Sequence, residues 1–338
     1  MKAYEIIHGS GSDAIAIVDR AVPVPGPGQV VIDVKACSLN YRDLLVIKGT
    51  YAAEGKKTGV VPLSDGAGII SAVGLGVTSL NVGDRVVAAF MPTYHSGKLT
   101  PQRQFEALGG DVDGMLAEKV VLPASGVVKI PGNLSFEEAS TLPCAAVTAW
   151  YAQFVGGDVK PGTTVLLLGT GGVSIFALQF AKLAGARVIL TSSDDAKLER
   201  AAALGADLTI NYRANPEWHK EVVRLTDGRG VDHAVEVGGP GTLNKTLEAV
   251  RYAGSISLMG VLTGLADPVA TGLILTKNIK IQGTYVGSVE LFEDMNQAIA
   301  FHSLKPAIDR VFPFVKAKDA LAHLESGRHF GKVVVSVA

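Results

Sequence analysis

The chain has 338 residues, 48% of them hydrophobic, and a formal net charge of −1. That is enough for two ordinary domains, and the charge balance excludes a polyanion-binding surface, so nucleic acid is not an expected partner. Only two cysteines, Cys37 and Cys144, are present, which leaves no disulfide framework and points to a reducing, cytoplasmic setting. No apolar run reaches the roughly 18 residues of a membrane span, and the stretch Met1–Ile7 turns polar at His8 without a signal-peptide core.

Up to about residue 130 the chain reads as short β-runs punctuated by Gly and Pro: Val30–Ala36, Ile69–Val73, Arg85–Ala88 and Lys119–Leu122. Such spacing predicts a small antiparallel barrel or sandwich. Pro23–Gly28 is a stiff turn segment, and Met91–Asp113 a long loop in which His95 faces solvent. Phe136–Ala139 opens a helix with Ser135 as its N-cap. Strand–helix alternation follows. The strands are expected at Val165–Leu168, Val188–Thr191, Leu208–Asn211, His233–Val237, Ser255–Met259 and Ile279–Thr284, with helices such as Ala196–Leu204 and Leu243–Val250 between them. Six strands with helical crossovers make a doubly wound parallel α/β sheet. The tail returns to a helix, Ala317–Ser326, and an edge-like strand, Lys332–Val337. The expected division is a β-rich catalytic domain of residues 1–145 with 290–338, and a nucleotide domain of residues 146–289. A small substrate would meet the cofactor in the cleft between them.

The apolar run Thr164–Leu168 breaks into Gly169-Thr170-Gly171-Gly172-Val173-Ser174. An amphipathic segment (Ile175, Phe176, Leu178, Phe180, Leu183) then runs to Gly185 before a second β-rich run begins at Arg187. This strand–turn–helix–strand unit seats a dinucleotide pyrophosphate on a helix N-terminus. Gly169 permits the tight turn and Gly171 the close approach of phosphate; Ser174 stands at the third fingerprint position, small enough for helix–strand packing. Where NAD-binding versions place an acid about 20 residues past the turn, the strand end here offers Ser192 and Ser193, with Lys197 one helical turn further. Hydroxyls donate to a 2′-phosphate that a carboxylate would repel. Asp194 and Asp195 are read as the cap and first-turn charge of the next helix. The expected cofactor is therefore NADP(H) rather than NAD(H).

The chain resembles the medium-chain dehydrogenases/reductases, and within them the metal-free quinone oxidoreductase-like branch. The matching stretches are Pro25–Val30, Ser38–Asp43, Asp65–Gly68, Val82–Val86, Leu142–Trp150, the glycine turn and His329–Val335. The resemblance implies a GroES-like catalytic domain beside a six-stranded Rossmann domain. It places Lys197 and Tyr212 at the 2′-phosphate, Thr148 beside the nicotinamide, and Lys332 in a segment bordering it. Gly238, Gly260, Tyr285 and Gly287 stand at ends of later strands, where such folds line the cofactor. Relatives dimerise through the nucleotide domain, and the β-runs Ile279–Gln282 and Val333–Val337 offer sheet edges, so a homodimer is expected.

Zinc-dependent relatives hold the metal with Cys, His and a second Cys or acid. Cys37 and Cys144 fall at two of these positions, but Ser64 replaces the His and Asp65 the adjacent Glu. Serine is a poor ligand at neutral pH, and Leu39 stands where the proton-relay serine would be. Zinc is not expected, Asp65 being the alternative third ligand. Without a Lewis acid, hydride transfer favours acceptors that spread the negative charge themselves, namely quinones and α,β-unsaturated carbonyls. Asn40 is the leading hydrogen-bond donor near the nicotinamide, by the resemblance and by its amide chemistry, and so a residue of both the cofactor site and the catalytic group. Arg42 binds or polarises the acceptor, Asp43 pairs with Arg42, and Tyr51 is a candidate proton donor. Two other readings stay open: a zinc alcohol dehydrogenase with an unusual ligand set, and a nucleotide-binding protein without turnover.

Overall fold

The computed structural model describes residues 1–8, 11–51, 57–104 and 106–337. They form two compact units, Met1–Val147 with Gly287–Ala338, and Thr148–Val286. Among the described residues no helix is long and apolar enough to cross a membrane.

The first unit begins with an antiparallel pair, β1 (Lys2–Ile6) and β2 (Ile15–Asp19). Its organiser is β3 (Gln29–Leu39), followed by α1 (Tyr41–Lys48), β4 (Asp65–Val73) and β5 (Arg85–Ala88). After the short α2 (Pro101–Gln104) come β6 (Lys119–Pro123), β7 (Val127–Lys129) and α3 (Phe136–Ser140). Strand β3 pairs with β4 along most of its length and with β6 at its start; β5 and β7 extend the sheet beyond β4. Ser135 caps α3, accepting from the Glu138 amide while Glu138 accepts from the Ser135 amide. The stretch Met91–Asp113 is mostly irregular, as expected, and His95 is exposed.

The second unit enters through α4 (Val147–Trp150) and alternates β8 (Thr164–Leu168), α5 (Gly172–Leu183), β9 (Arg187–Ser192), α6 (Asp195–Ala203), β10 (Leu208–Asn211), α7 (Trp218–Leu225), β11 (Val231–Glu236), α8 (Pro240–Ala249), β12 (Val250–Leu258), α9 (Thr271–Thr276) and β13 (Lys280–Gly283). All six strands are parallel in the order β10-β9-β8-β11-β12-β13. This is the Rossmann order, with the direction of winding reversing between β8 and β11. Helices on both faces explain why β8 is buried at all five positions and reads as an unbroken apolar run.

The chain then returns to the first unit with α10 (Val289–Phe301), β14 (Ile308–Pro313), α11 (Ala317–Glu325) and β15 (Lys332–Ser336). Here the expectation of an edge strand fails. Strand β15 lies between β14, to which it is parallel, and β3, to which it is antiparallel. Val333, Val334 and Val335 are all buried, as a strand covered on both faces requires, and the more exposed β14 takes the edge. Of the two expected edges only β13 is one.

Candidate active site

Each unit carries one group of candidate residues. In the second, β8 delivers the glycine turn to the reversal point of the sheet. Gly169 takes φ +76°, which a side chain would strain. Gly171 is the N-cap of α5 and offers no side chain to its first turn, leaving that end suited to an anion. A Cβ added at Gly169 or Gly171 would meet nothing within 4 Å; the space ahead of the turn is open, as a pyrophosphate needs. Thr170 completes the turn, and Gly172 and Val173 open α5. Ser174, the departure from the fingerprint, donates from Oγ to the Leu168 carbonyl at 2.6 Å and fastens the helix start to the strand end.

At the next strand ends Ser192 and Tyr212 come together, the Tyr212 amide donating to the Ser192 carbonyl at 2.9 Å. Ser192 is buried, Ser193 and Lys197 are half-buried, and Tyr212 is exposed. The two neighbouring acids are engaged locally. Asp194 is the N-cap of α6, accepting from the Lys197 amide at 3.1 Å, and Asp195 accepts from Asn211 Nδ2 at 2.7 Å. These residues fit a phosphorylated ribose.

Further along, Gly238 and Gly260 stand just past the ends of β11 and β12, where the main chain is closely packed. A Cβ on Gly260 would overlap the main chain of Val237, and one on Gly238 would overlap the Thr242 side chain. Tyr285 lines a hollow of about 460 Å³ with Met259, Gly260, Val261 and Thr284. Sequence reasoning passed over Glu236, which closes this corner: its Oε1 accepts from the amides of Gly238 (2.8 Å) and Gly239 (3.1 Å) and from Thr242 Oγ1 (2.7 Å), and Thr246 Oγ1 donates to Oε2. Burial pushes its carboxyl pKa up. The available signal was an acid ending an apolar strand just before Gly238-Gly239. Thr148 is buried in α4. Asn40, Gly287 and Lys332 belong to the other unit, where a Cβ on Gly287 would press on Val147 Cγ1 at 2.6 Å.

The first unit holds a buried polar cluster where β3, α1, β4, α3 and β15 converge. Asn40 is the N-cap of α1; its amide N–H donates to Asp43 Oδ2 at 2.7 Å, and its Oδ1 accepts from Lys332 Nζ at 2.6 Å. Lys332 also donates to the Leu39 carbonyl at 2.7 Å and lies 3.8 Å from Asp65 Oδ2. Asp65 accepts from Ser64 Oγ (2.7 Å), Ser38 Oγ (3.3 Å) and the Cys144 amide (3.4 Å). Asp65 is thus the hub of a network that sequence reasoning met only as a ligand alternative; an acid beginning the apolar strand Asp65–Val73 was the signal.

Arg42 is buried and donates from Nη1 to the Leu108 carbonyl at 2.7 Å, its guanidinium 5.0 Å from the Tyr51 ring centre and 4.8 Å from that of Phe90. Arg42 and Asp43 interact through space, yet each head group is held elsewhere, Asp43 on the helix start and Arg42 between two rings. Tyr51 enters as a stacking partner of Arg42.

Catalytic zinc takes three protein ligands around an open position. Cys37 instead donates its thiol hydrogen to the Met115 carbonyl at 3.0 Å. Burial, with Asp65 and Asp43 nearby, pushes its pKa well up, and burial likewise raises that of Cys144. The Lys332 ammonium beside Asp65 repels a dication. Among the described residues no group of three or more His, Cys, Asp and Glu side chains could hold a metal ion. The donor set does not fit catalytic zinc.

Asp43 supplies a pH signature. Burial raises its pKa to about 7, against the opposing pull of Arg42 and with Asp65 adding to the rise. A carboxyl raised in the fold binds more protons folded than unfolded, so stability falls as pH climbs from the ordinary carboxyl range toward 7. Asp43→Asn removes that dependence while keeping an oxygen for the Asn40 amide. Thermal melts of the two proteins from pH 4 to pH 7 should diverge in favour of the variant, by at most about 4 kcal/mol at the upper end. Parallel curves would exclude a raised Asp43.

The comparisons with known proteins agree with this architecture. The family model for the alcohol dehydrogenase GroES-like domain matches residues 26–132, and that for zinc-binding dehydrogenases matches residues 172–303. A zinc-type alcohol dehydrogenase-like protein of Schizosaccharomyces pombe is 46% identical, over 98% of each chain. Among solved structures, an NAD-dependent alcohol dehydrogenase superposes with a TM-score of 0.91 at 35% identity over all of both chains. A quinone oxidoreductase of Pseudomonas syringae gives 0.83 at 28% identity over 99% of each. The chain therefore belongs to the medium-chain dehydrogenase/reductase superfamily, as an NAD(P)-dependent oxidoreductase of the alcohol dehydrogenase and quinone oxidoreductase type.

Proposed function

We propose that this protein is an NADPH-dependent reductase of quinones or α,β-unsaturated carbonyls that works without a metal ion. The observation carrying this reading is the cluster at Asp65, where hydroxyls, a main-chain amide and an ammonium surround the carboxylate, while the Cys37 thiol is turned to the Met115 carbonyl. A simple ketone concentrates charge on one oxygen and needs a strong Lewis acid; a conjugated acceptor disperses it and needs orientation plus one good donor. Bound NADPH supplies the hydride. Gly169, Thr170, Gly171, Gly172 and Val173 would hold its pyrophosphate, and Ser192, Ser193, Lys197 and Tyr212 its 2′-phosphate. Asn40 Nδ2 donates to the acceptor oxygen as negative charge develops there, and Arg42 shapes the pocket from its position between Tyr51 and Phe90. Solvent returns the proton to the product.

The preference for NADPH rests on Ser192 and Tyr212 meeting at adjacent strand ends while Asp194 is spent on capping α6. Charge-assisted bonds to the phosphate should favour NADPH over NADH by ~10- to 100-fold in Kd. Matched titrations, followed by turnover against quinone, enone and aldehyde panels, test both halves. Equal affinities would remove the cofactor assignment, and aldehydes outpacing enones would remove the substrate class.

A further inference from the structure

We infer that Lys332 is a positioning residue whose buried ammonium fixes and polarises the Asn40 amide, so that a charge-assisted bond on the amide oxygen strengthens the N–H presented to the acceptor oxygen. This inference rests on the reading of Asn40 as the donor to that oxygen. The resemblance to the family placed Lys332 at the border of the cofactor. In the structure its side chain is only 3% exposed, beside a carboxylate, Asp65, that is fully buried. Its neighbours within hydrogen-bond reach are the Leu39 carbonyl at 2.7 Å and Asn40 Oδ1 at 2.6 Å. A group so enclosed acts on a ligand through what it touches.

An ammonium donates and does not accept, so the amide oxygen of Asn40 must face Lys332 and the NH2 must face away. The main chain of Asn40 is held as well, through its N–H to Asp43 Oδ2 at 2.7 Å. The side chain is thus clamped at its oxygen end, and among the described residues its nitrogen end makes a single long contact, 3.5 Å, to Ser64 Oγ. A charged donor on the amide oxygen draws electron density from the nitrogen and strengthens its N–H as a donor. Asp65 at 3.8 Å balances the buried charge, and Ser64, Ser38 and the Cys144 amide occupy that carboxylate in turn. The network therefore holds a positive charge at fixed distance behind a neutral donor.

A double-mutant cycle tests this. NADPH-driven enone reduction is measured for the wild type, Lys332→Met, Lys332→Gln, Asn40→Ala, Lys332→Met/Asn40→Ala and Lys332→Gln/Asn40→Ala, with NADPH Kd read from nucleotide fluorescence. Lys332→Met should lower kcat ~10- to 100-fold, with acceptor KM and NADPH Kd within about threefold, while in the Asn40→Ala background the same change costs less than about threefold. Lys332→Gln, which keeps a neutral donor for Asn40 Oδ1, should fall between; it carries the cycle if the Met variant does not fold. Equal cost in both backgrounds, or loss of NADPH binding in step with kcat, overturns the positioning role. Asn40→Ala impaired with both Lys332 variants unimpaired sinks this inference alone. An unimpaired Asn40→Ala sinks the underlying reading of Asn40.

Discussion

Gly171→Val should abolish useful NADPH binding, raising Kd by roughly 100-fold or more, with little loss of fold stability. The backbone at Gly171 is extended, with φ −78° and ψ −177°, a conformation any residue adopts, and a Cβ there touches nothing within 4 Å. The cost to the free protein is that of a poorer N-cap, ~1 kcal/mol. The space a valine fills is the space through which a phosphate approaches the amides of α5, so the bound state carries the penalty. Gly260→Ala is the opposite case. Its new Cβ overlaps the main chain of Val237, and relieving that overlap costs about 3 kcal/mol or more before any ligand is added. Thermal melts with and without NADPH separate the two. A Gly171→Val protein that binds NADPH like the wild type would remove the turn from the cofactor site, and an unchanged melt for Gly260→Ala would contradict the packing of the Val237 and Gly260 loops.

Asn40→Ala should lower kcat for enone reduction by ~10²- to 10³-fold, the usual cost of deleting one preorganised donor at a developing oxyanion. Substrate KM should change far less, because the bond gains strength as charge accumulates. The Ala variant also loses a side-chain partner of Lys332, so its melting temperature must be read beside its kinetics. The helix start survives in part, since the Asp43 carboxylate caps through the main-chain N–H of residue 40. Steady-state kinetics with a quinone and an enone decide the matter: a kcat within about threefold of wild type would place the donor elsewhere.

How much of this was legible beforehand depends on whether the signal is local. The nucleotide unit announces itself because β8 and β9 are consecutive, apolar and bounded by turn residues, and because a parallel sheet covered on both faces leaves continuous hydrophobic runs. The capping roles of Ser135 and Asp194 were equally local, each set by residues three positions apart. Non-local pairings were not legible. Strand β15 reads as an edge in the sequence because nothing in Lys332–Ser336 reveals that β3, almost 300 residues earlier, closes one side and β14 the other. Lys332 was placed by resemblance alone, in a segment bordering the nicotinamide; its contact with Asn40, brought about by the pairing of β15 with β3, was not legible. Gly260 shows another limit, since a glycine at a strand end serves cofactor approach and loop packing alike, and the close approach of the Val237 main chain is not visible in the sequence. Asp65 was hidden because four of its neighbours, Ser38, Ser64, Cys144 and Lys332, come from four separate stretches of the chain.

The most direct trial is the rate of NADPH oxidation by an enone after exhaustive treatment of the protein with a strong chelator. On the proposed reading, in which Asn40, Lys332 and Asp65 form the polar centre without a metal, the stripped protein should keep the full rate, and added zinc should not raise it. Activity lost on chelation and restored by zinc would contradict a metal-free reductase.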